Sequence, residues 1–144
     1  MGLYVEILRH MSILLKRTFI TVDIIIQRSD NSIVLVKRAF EPHKGEWALP
    51  GGFLKFGGTI EDTADREAKE ETGLDIKIER VVRVSSDPKR DPRGHVISIV
   101  LLAREVGGEL RAGSDAMEVK SFKQVPDRLA FDHYETLRSS EFAR

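Results

Sequence analysis

Apolar and polar positions fall into short blocks separated by turn residues, and the pattern within each block predicts its element. Residues 19–27 (FITVDIIIQ) and 33–37 (IVLVK) are apolar and β-branched, and Ser-Asp-Asn-Ser between them predicts a hairpin. Residues 39–56 carry Pro42, Gly45, Pro50, Gly51 and Gly52, more breakers than a regular element tolerates, and read as a shaped loop. Thr59 is placed to cap a helix from Ile60 to about Thr72, with Asp62 in the first turn and Gly73 as the stop. Strands are expected over 75–84, 95–106 and 118–125, and the nearly continuous apolar run 96–103 predicts a central position in the sheet. Residues 132–142 close as a helix with Tyr134, Leu137 and Phe142 facing inward. A sheet with one early and one late helix predicts an α/β layered domain.

The capped helix carries the first chemical signal. At roughly 100° per residue, Ile60, Ala64 and Ala68 fall on one stripe, and Glu67, Glu70 and Glu71 fall along its border. Glutamates four apart repel, and desolvating each costs several kcal/mol unless it protonates or meets a cation. A solvated acidic face balanced by Arg66 and Lys69 is one reading; a bound divalent metal is the other. Carboxylate oxygens without cysteine, and with histidines only at distant positions, favour Mg²⁺ or Mn²⁺ over zinc.

Composition narrows the class. A chain of 144 residues suits one domain with one core. Its 23 basic and 23 acidic side chains cancel, so no global field favours nucleic acid or an anionic membrane, and any anionic substrate must be held locally. The lack of cysteine excludes disulfides, thiolate zinc sites and a cysteine nucleophile, and suits a cytoplasmic protein. The longest apolar stretches are too short for a membrane span or a signal-peptide core. Leu3, Tyr4, Val5, Ile7, Leu8 and Met11 make residues 1–18 too apolar for a free tail, and an N-terminal strand or arm is expected there.

Residues 52–74 read GFLKFGGTIEDTADREAKEETGL and resemble the Nudix box, G-x5-E-x7-R-E-U-x-E-E-x-G-U. Gly52 fits the opening glycine, Arg66-Glu67 the central pair, Glu70-Glu71 the second pair and Gly73-Leu74 the end. One position departs: Gly58 stands where the pattern has its first glutamate. Lys37-Arg38, GEWALP at 45–50 and Asp132-His133 also look like Nudix neighbours. The resemblance implies a Nudix hydrolase domain over 19–144, an α/β/α sandwich with a mixed sheet. It further implies hydrolysis of a nucleoside diphosphate linked to another group. On that reading Glu67, Glu70, Glu71 and the Gly52 carbonyl hold Mg²⁺, with Mn²⁺ as substitute, and Arg66 orients a neighbouring glutamate. A metal lowers the pKa of the attacking water and neutralises phosphoryl charge. Loss of the carboxylate at Gly58 should weaken metal binding and activity without harming the fold.

Pro88, fifteen residues past Gly73, the run DPKRDPRGH (87–95) and LAFDH (129–133) resemble the ADP-ribose pyrophosphatase branch. That implies ADP-ribose as substrate, AMP and ribose 5-phosphate as products, and a homodimer. Arg38, Lys89, Arg90 and Arg93 are candidates for the diphosphate, and Trp47 and Phe53 for stacking on adenine. An additional acid is expected near 113–118, Asp115 before Glu118. His43, His95 and His133 lack metal-ligand spacing and read as loop or packing residues. Two alternatives stand beside this reading: a nucleoside triphosphate pyrophosphatase that clears damaged nucleotides, and a non-catalytic module that binds ADP-ribose.

Overall fold

The computed structural model describes residues 2–14 and 16–142; Met1, Leu15, Ala143 and Arg144, which the expected arm and domain include, lie outside them. In chain order the elements are α1 (Gly2–Leu14), β1 (Phe19–Gln27), β2 (Ile33–Arg38), β3 (Trp47–Ala48), β4 (Gly51–Phe53), α2 (Ile60–Thr72), β5 (Leu74–Ser85), β6 (Val96–Gly108), β7 (Ala116–Phe122) and α3 (His133–Ser139).

The sheet is mixed. β1 pairs in parallel with β6 along its whole length, while β2 with β7, β5 with β6, and β1 with β2 and β4 are antiparallel. The order β3-β2-β1-β6-β5 puts the apolar β6 inside the sheet, as its sequence predicts. Successive side chains of β1 point to opposite faces. Val22, Ile24 and Ile26 therefore pack with Ala64 and Ala68 of α2, and Ile25 packs on the other face with Leu129 and with Leu137 of α3. Helices on both faces make the expected α/β/α sandwich.

α2 begins and ends where its caps dictate. Thr59 accepts the Asp62 N–H at 3.1 Å, and Gly73 takes a left-handed φ of 77° while its N–H donates to the Lys69 carbonyl. α3 stops at Ser139, short of the expected 142, although Leu137 is buried and Tyr134 and Phe142 pack against its cluster. Within the expected loop 39–56, residues 47–48 and 51–53 form short strands, because β2 and β1 offer them free edges.

The largest correction falls on the N-terminus. Where a strand or arm is expected, residues 2–14 form helix α1 and not a strand. Tyr4 and Leu8 lie four apart, one above the other on a helix, and with Val5 they pack against Phe53, Val96 and Phe19. The apolar content of this segment is conspicuous, but its spacing is what selects the helix.

Candidate active site

Beside the twin glycines of β4 lies an open cleft lined among others by Asp23, Arg38, Gly52, Phe53, Glu71, Arg90, Arg93, Asp115, Phe131 and His133. One wall is acidic. Glu67 is buried, its Oε1 accepting from Arg66 Nη1 at 2.9 Å, and it lies against Gly52 so closely that a Cβ there would sit 2.5 Å from the carboxylate. Only a glycine allows that approach. Glu71 accepts the Gly51 N–H at 3.1 Å. Burial raises the pKa of Glu67, with the Arg66 charge opposing. Burial also raises that of Glu71 well above the ordinary carboxylate value, and the Glu67 charge adds to it.

Glu70 turns outward. It is largely exposed and pairs with Arg66 at 3.5 Å, one helical turn away. Among the described residues no three acidic or histidine side chains already converge into a metal cage. Even so, the donor set fits a hard divalent ion: two desolvated carboxylates that repel each other, a glycine backbone pressed against one of them, and Asp115 close enough to raise the pKa of Glu67.

The opposite wall is cationic and aromatic. The Arg93 guanidinium lies 4.7 Å from the Phe53 ring and 5.1 Å from Phe131, which Arg38 and Arg90 also approach at 5.0 and 6.0 Å. Two of these arginines are neutralised: Arg93 by Asp91 at 2.7 Å, and Arg90 by a two-pronged bond to Asp132 at 2.8 and 3.0 Å. Arg38 donates Nε to the Pro42 carbonyl at 2.7 Å and has no carboxylate at salt-bridge distance among the described residues. Burial pushes its pKa down and the Arg93 charge pushes the same way. A partly buried cation without a counter-ion favours an anionic ligand.

Of the residues singled out in the sequence, the structure brings Arg38, Gly52, Phe53, Glu71, Arg93 and Asp115 to the cleft, with Glu67 behind Gly52 and Arg66 gripping it. Trp47 lies elsewhere, its ring edge-on to Phe122 at 5.0 Å, because β3 joins the far side of β2. Pro88 sits exposed in a turn that Asp87 closes by accepting the Lys89 N–H at 2.9 Å. Glu118 is exposed on β7, so Asp115 is the acid of that segment that faces the cleft. Asp23, Phe131 and His133 were missed as site residues. The signal for Asp23 is one charge inside an apolar strand; Phe131 and His133 stand in the LAFDH run that carries part of the resemblance, but their place on the cleft follows only from the folded chain.

Residues 17–139 match the NUDIX domain profile. The chain belongs to the Nudix family. It is 50% identical over 121 residues to the ADP-ribose pyrophosphatase of Methanocaldococcus jannaschii, covering 83% of this chain and 70% of that protein. Among solved structures, the bifunctional NMN adenylyltransferase/ADP ribose pyrophosphatase of Francisella tularensis, complexed with AMP and a Mn ion, superposes with a TM-score of 0.79 at 31% identity. That match covers 94% of this chain and 45% of the other. The Nudix domain of Shewanella oneidensis NrtR, complexed with ADP ribose, gives 0.70 at 26% identity over 85% of this chain and 88% of that domain. The Nudix fold and the hydrolase class expected from the box are thereby borne out.

Proposed function

We propose that this chain hydrolyses ADP-ribose to AMP and ribose 5-phosphate, using Mg²⁺ with Mn²⁺ as substitute. The observation that carries the reading is a cleft lined both by the Glu71 and Asp115 carboxylates, with Glu67 just behind Gly52, and by Arg38, Arg90 and Arg93. A diphosphate bound to a divalent cation answers both needs: the cation the buried carboxylates, and the phosphoryl oxygens Arg38, the arginine of this cleft with no carboxylate at salt-bridge distance among the described residues. Glu67, Glu71 and the Gly52 carbonyl would hold the metal, joined by Glu70 once it leaves Arg66. Bound there, the metal supplies Lewis-acid polarisation of the phosphoryl group and an acidified water. On this reading Arg66 fixes the Glu67 carboxylate, Arg38 takes a phosphoryl oxygen, and Asp115 accepts the proton of the attacking water. The half-identical Methanocaldococcus enzyme supports ADP-ribose over other nucleotides.

We assign the working form to a homodimer in the cytoplasm. Leu3 and Ile7 of α1, with Phe40 and Phe56 on nearby loops, are exposed apolar side chains that a second copy would cover. The lack of cysteine suits a reducing compartment.

A second reading is favoured by Gly58: a module that binds ADP-ribose without cleaving it. Chromatographic product analysis across ADP-ribose, NADH and nucleoside triphosphates, with Mg²⁺ and with Mn²⁺, separates these readings. AMP with ribose 5-phosphate from ADP-ribose supports the hydrolase. Triphosphate turnover giving pyrophosphate overturns the substrate, and tight ADP-ribose binding without products selects the module.

A further inference from the structure

Asp23 is the one charged residue in β1, a strand otherwise dominated by buried apolar side chains, and it reaches the cleft. A carboxylate there costs several kcal/mol unless neighbouring groups answer it. Thr21 Oγ1 donates to Oδ2 at 3.2 Å, and Ser98 Oγ donates to the same oxygen. Oδ1 receives no hydrogen bond from the described residues.

His133 stands beside it, fully buried at the start of α3. The Leu49 N–H donates to Nδ1 at 3.0 Å, so Nδ1 bears no proton and the neutral ring carries its hydrogen on Nε2. Nε2 lies 3.9 Å from Asp23 Oδ2, beyond hydrogen-bonding distance. An acceptor on Asp23 and a donor on His133, both without a hydrogen-bond partner among the described residues, therefore belong to side chains that line the same cleft, with Val36, Leu49 and Phe131 as apolar neighbours. The hydrolysis proposed above uses neither group.

We propose that Asp23 and His133 read the amino edge of the adenine ring, Asp23 Oδ1 accepting from the exocyclic amino group and His133 Nε2 donating to the adjacent ring nitrogen. The inference rests on the adenine-bearing substrate of the proposed function. Adenine presents a donor beside a ring-nitrogen acceptor, whereas guanine and hypoxanthine place a carbonyl oxygen at the amino position. A carbonyl facing Asp23 sets two acceptors against each other, leaving both without the hydrogen bond that the amino group would make. The ribose diol is the other group a carboxylate commonly holds, through both of its oxygens. Here Thr21 and Ser98 already occupy Oδ2, which leaves one acceptor and one fixed donor, the complement of a base edge.

Calorimetric titration of the full chain with AMP, IMP and 2′-deoxy-AMP in Mg²⁺ tests this without requiring turnover. The parent should bind AMP at least about tenfold more tightly than IMP, the range for one paired base edge. Asp23→Asn, which replaces the acceptor with an amide able to donate, should bring the two within about threefold. Equal affinity of the parent for AMP and IMP, or no binding of AMP, overturns the proposal. So does a preference for AMP over 2′-deoxy-AMP without discrimination against IMP, which assigns the pair to the ribose. Should Asp23→Asn fail to fold, the parent's AMP/IMP ratio decides alone. AMP selectivity in a chain that cleaves no ADP-ribose refutes the hydrolase and leaves this inference standing; cleavage of ADP-ribose without base discrimination does the reverse.

Discussion

Gly58 stands where the Nudix pattern has a glutamate, and the structure permits that side chain. Its backbone does not need glycine: φ lies outside the left-handed region, and a Cβ would meet only the Lys55 carbonyl closely, at 3.2 Å. Gly58→Glu should therefore fold with stability changed by no more than about 1 kcal/mol. It adds a carboxylate just ahead of α2, where the helix dipole favours it. Steady-state assays should show higher turnover than the parent, most clearly at limiting Mg²⁺; equal rates at low and saturating metal would show that Gly58 impairs nothing. His133 allows a separate test. Burial holds its pKa below the ordinary 6.5, so on acidification the unfolded chain takes up this proton before the folded one does. Stability from the neutral ring is present above about pH 6.5 and falls as pH drops toward the folded value. Protonation also breaks the Leu49 N–H bond to Nδ1, worth about 1 kcal/mol. Melting temperature should drop between pH 7 and 5.5, and His133→Gln should flatten that slope; an unchanged slope would place the acid sensitivity elsewhere.

At the scale of elements, legibility followed how local the cause was. α2 could be read to the residue because Thr59 and Gly73 act within one turn of its ends. β1 and β6 showed in their apolar runs, but their parallel pairing is a long-range choice that no local pattern encodes. The same holds for the cationic wall. Arg38, Arg90 and Arg93 are phosphate candidates by side-chain type and by the runs they stand in, yet Phe131, the ring they share, and Asp132, which pins Arg90 from 42 residues away, meet them only when α3 docks. α1 was misread because an apolar segment was weighed by content, not spacing. It also contributes Val5 to the cleft and sets Tyr4 edge-on to Phe53 at 6.4 Å, although it lies outside the matched NUDIX residues. Deleting residues 1–14 should expose Phe53, lower the melting temperature by several degrees and raise KM for ADP-ribose more than it lowers kcat. Unchanged stability and KM would show that the helix only decorates the domain.

Across the whole molecule, zero net charge conceals an uneven site, with carboxylates gathered at α2 and three arginines, two of them paired with aspartates, gathered at Phe131. On the proposed reading, that arrangement holds an anion bridged to a metal locally, without a long-range field to gather one. The exposed apolar residues on α1 and its neighbouring loops extend the account to assembly: light scattering should give a dimer at micromolar concentration, and Leu3→Glu with Ile7→Glu should give a monomer. A monomeric parent would contradict the assigned homodimer. The central claim concerns Glu71, whose buried carboxylate is answered in this account by a metal and the substrate diphosphate. The most direct measurement is kcat/KM for ADP-ribose at saturating Mg²⁺, parent beside Glu71→Gln, with AMP and ribose 5-phosphate quantified. The account predicts Mg²⁺-dependent turnover in the parent and a loss of at least about a hundredfold in the variant, since changes one shell further out already cost 10–100-fold. Equal rates in the two proteins, or turnover that persists in excess chelator, would contradict it.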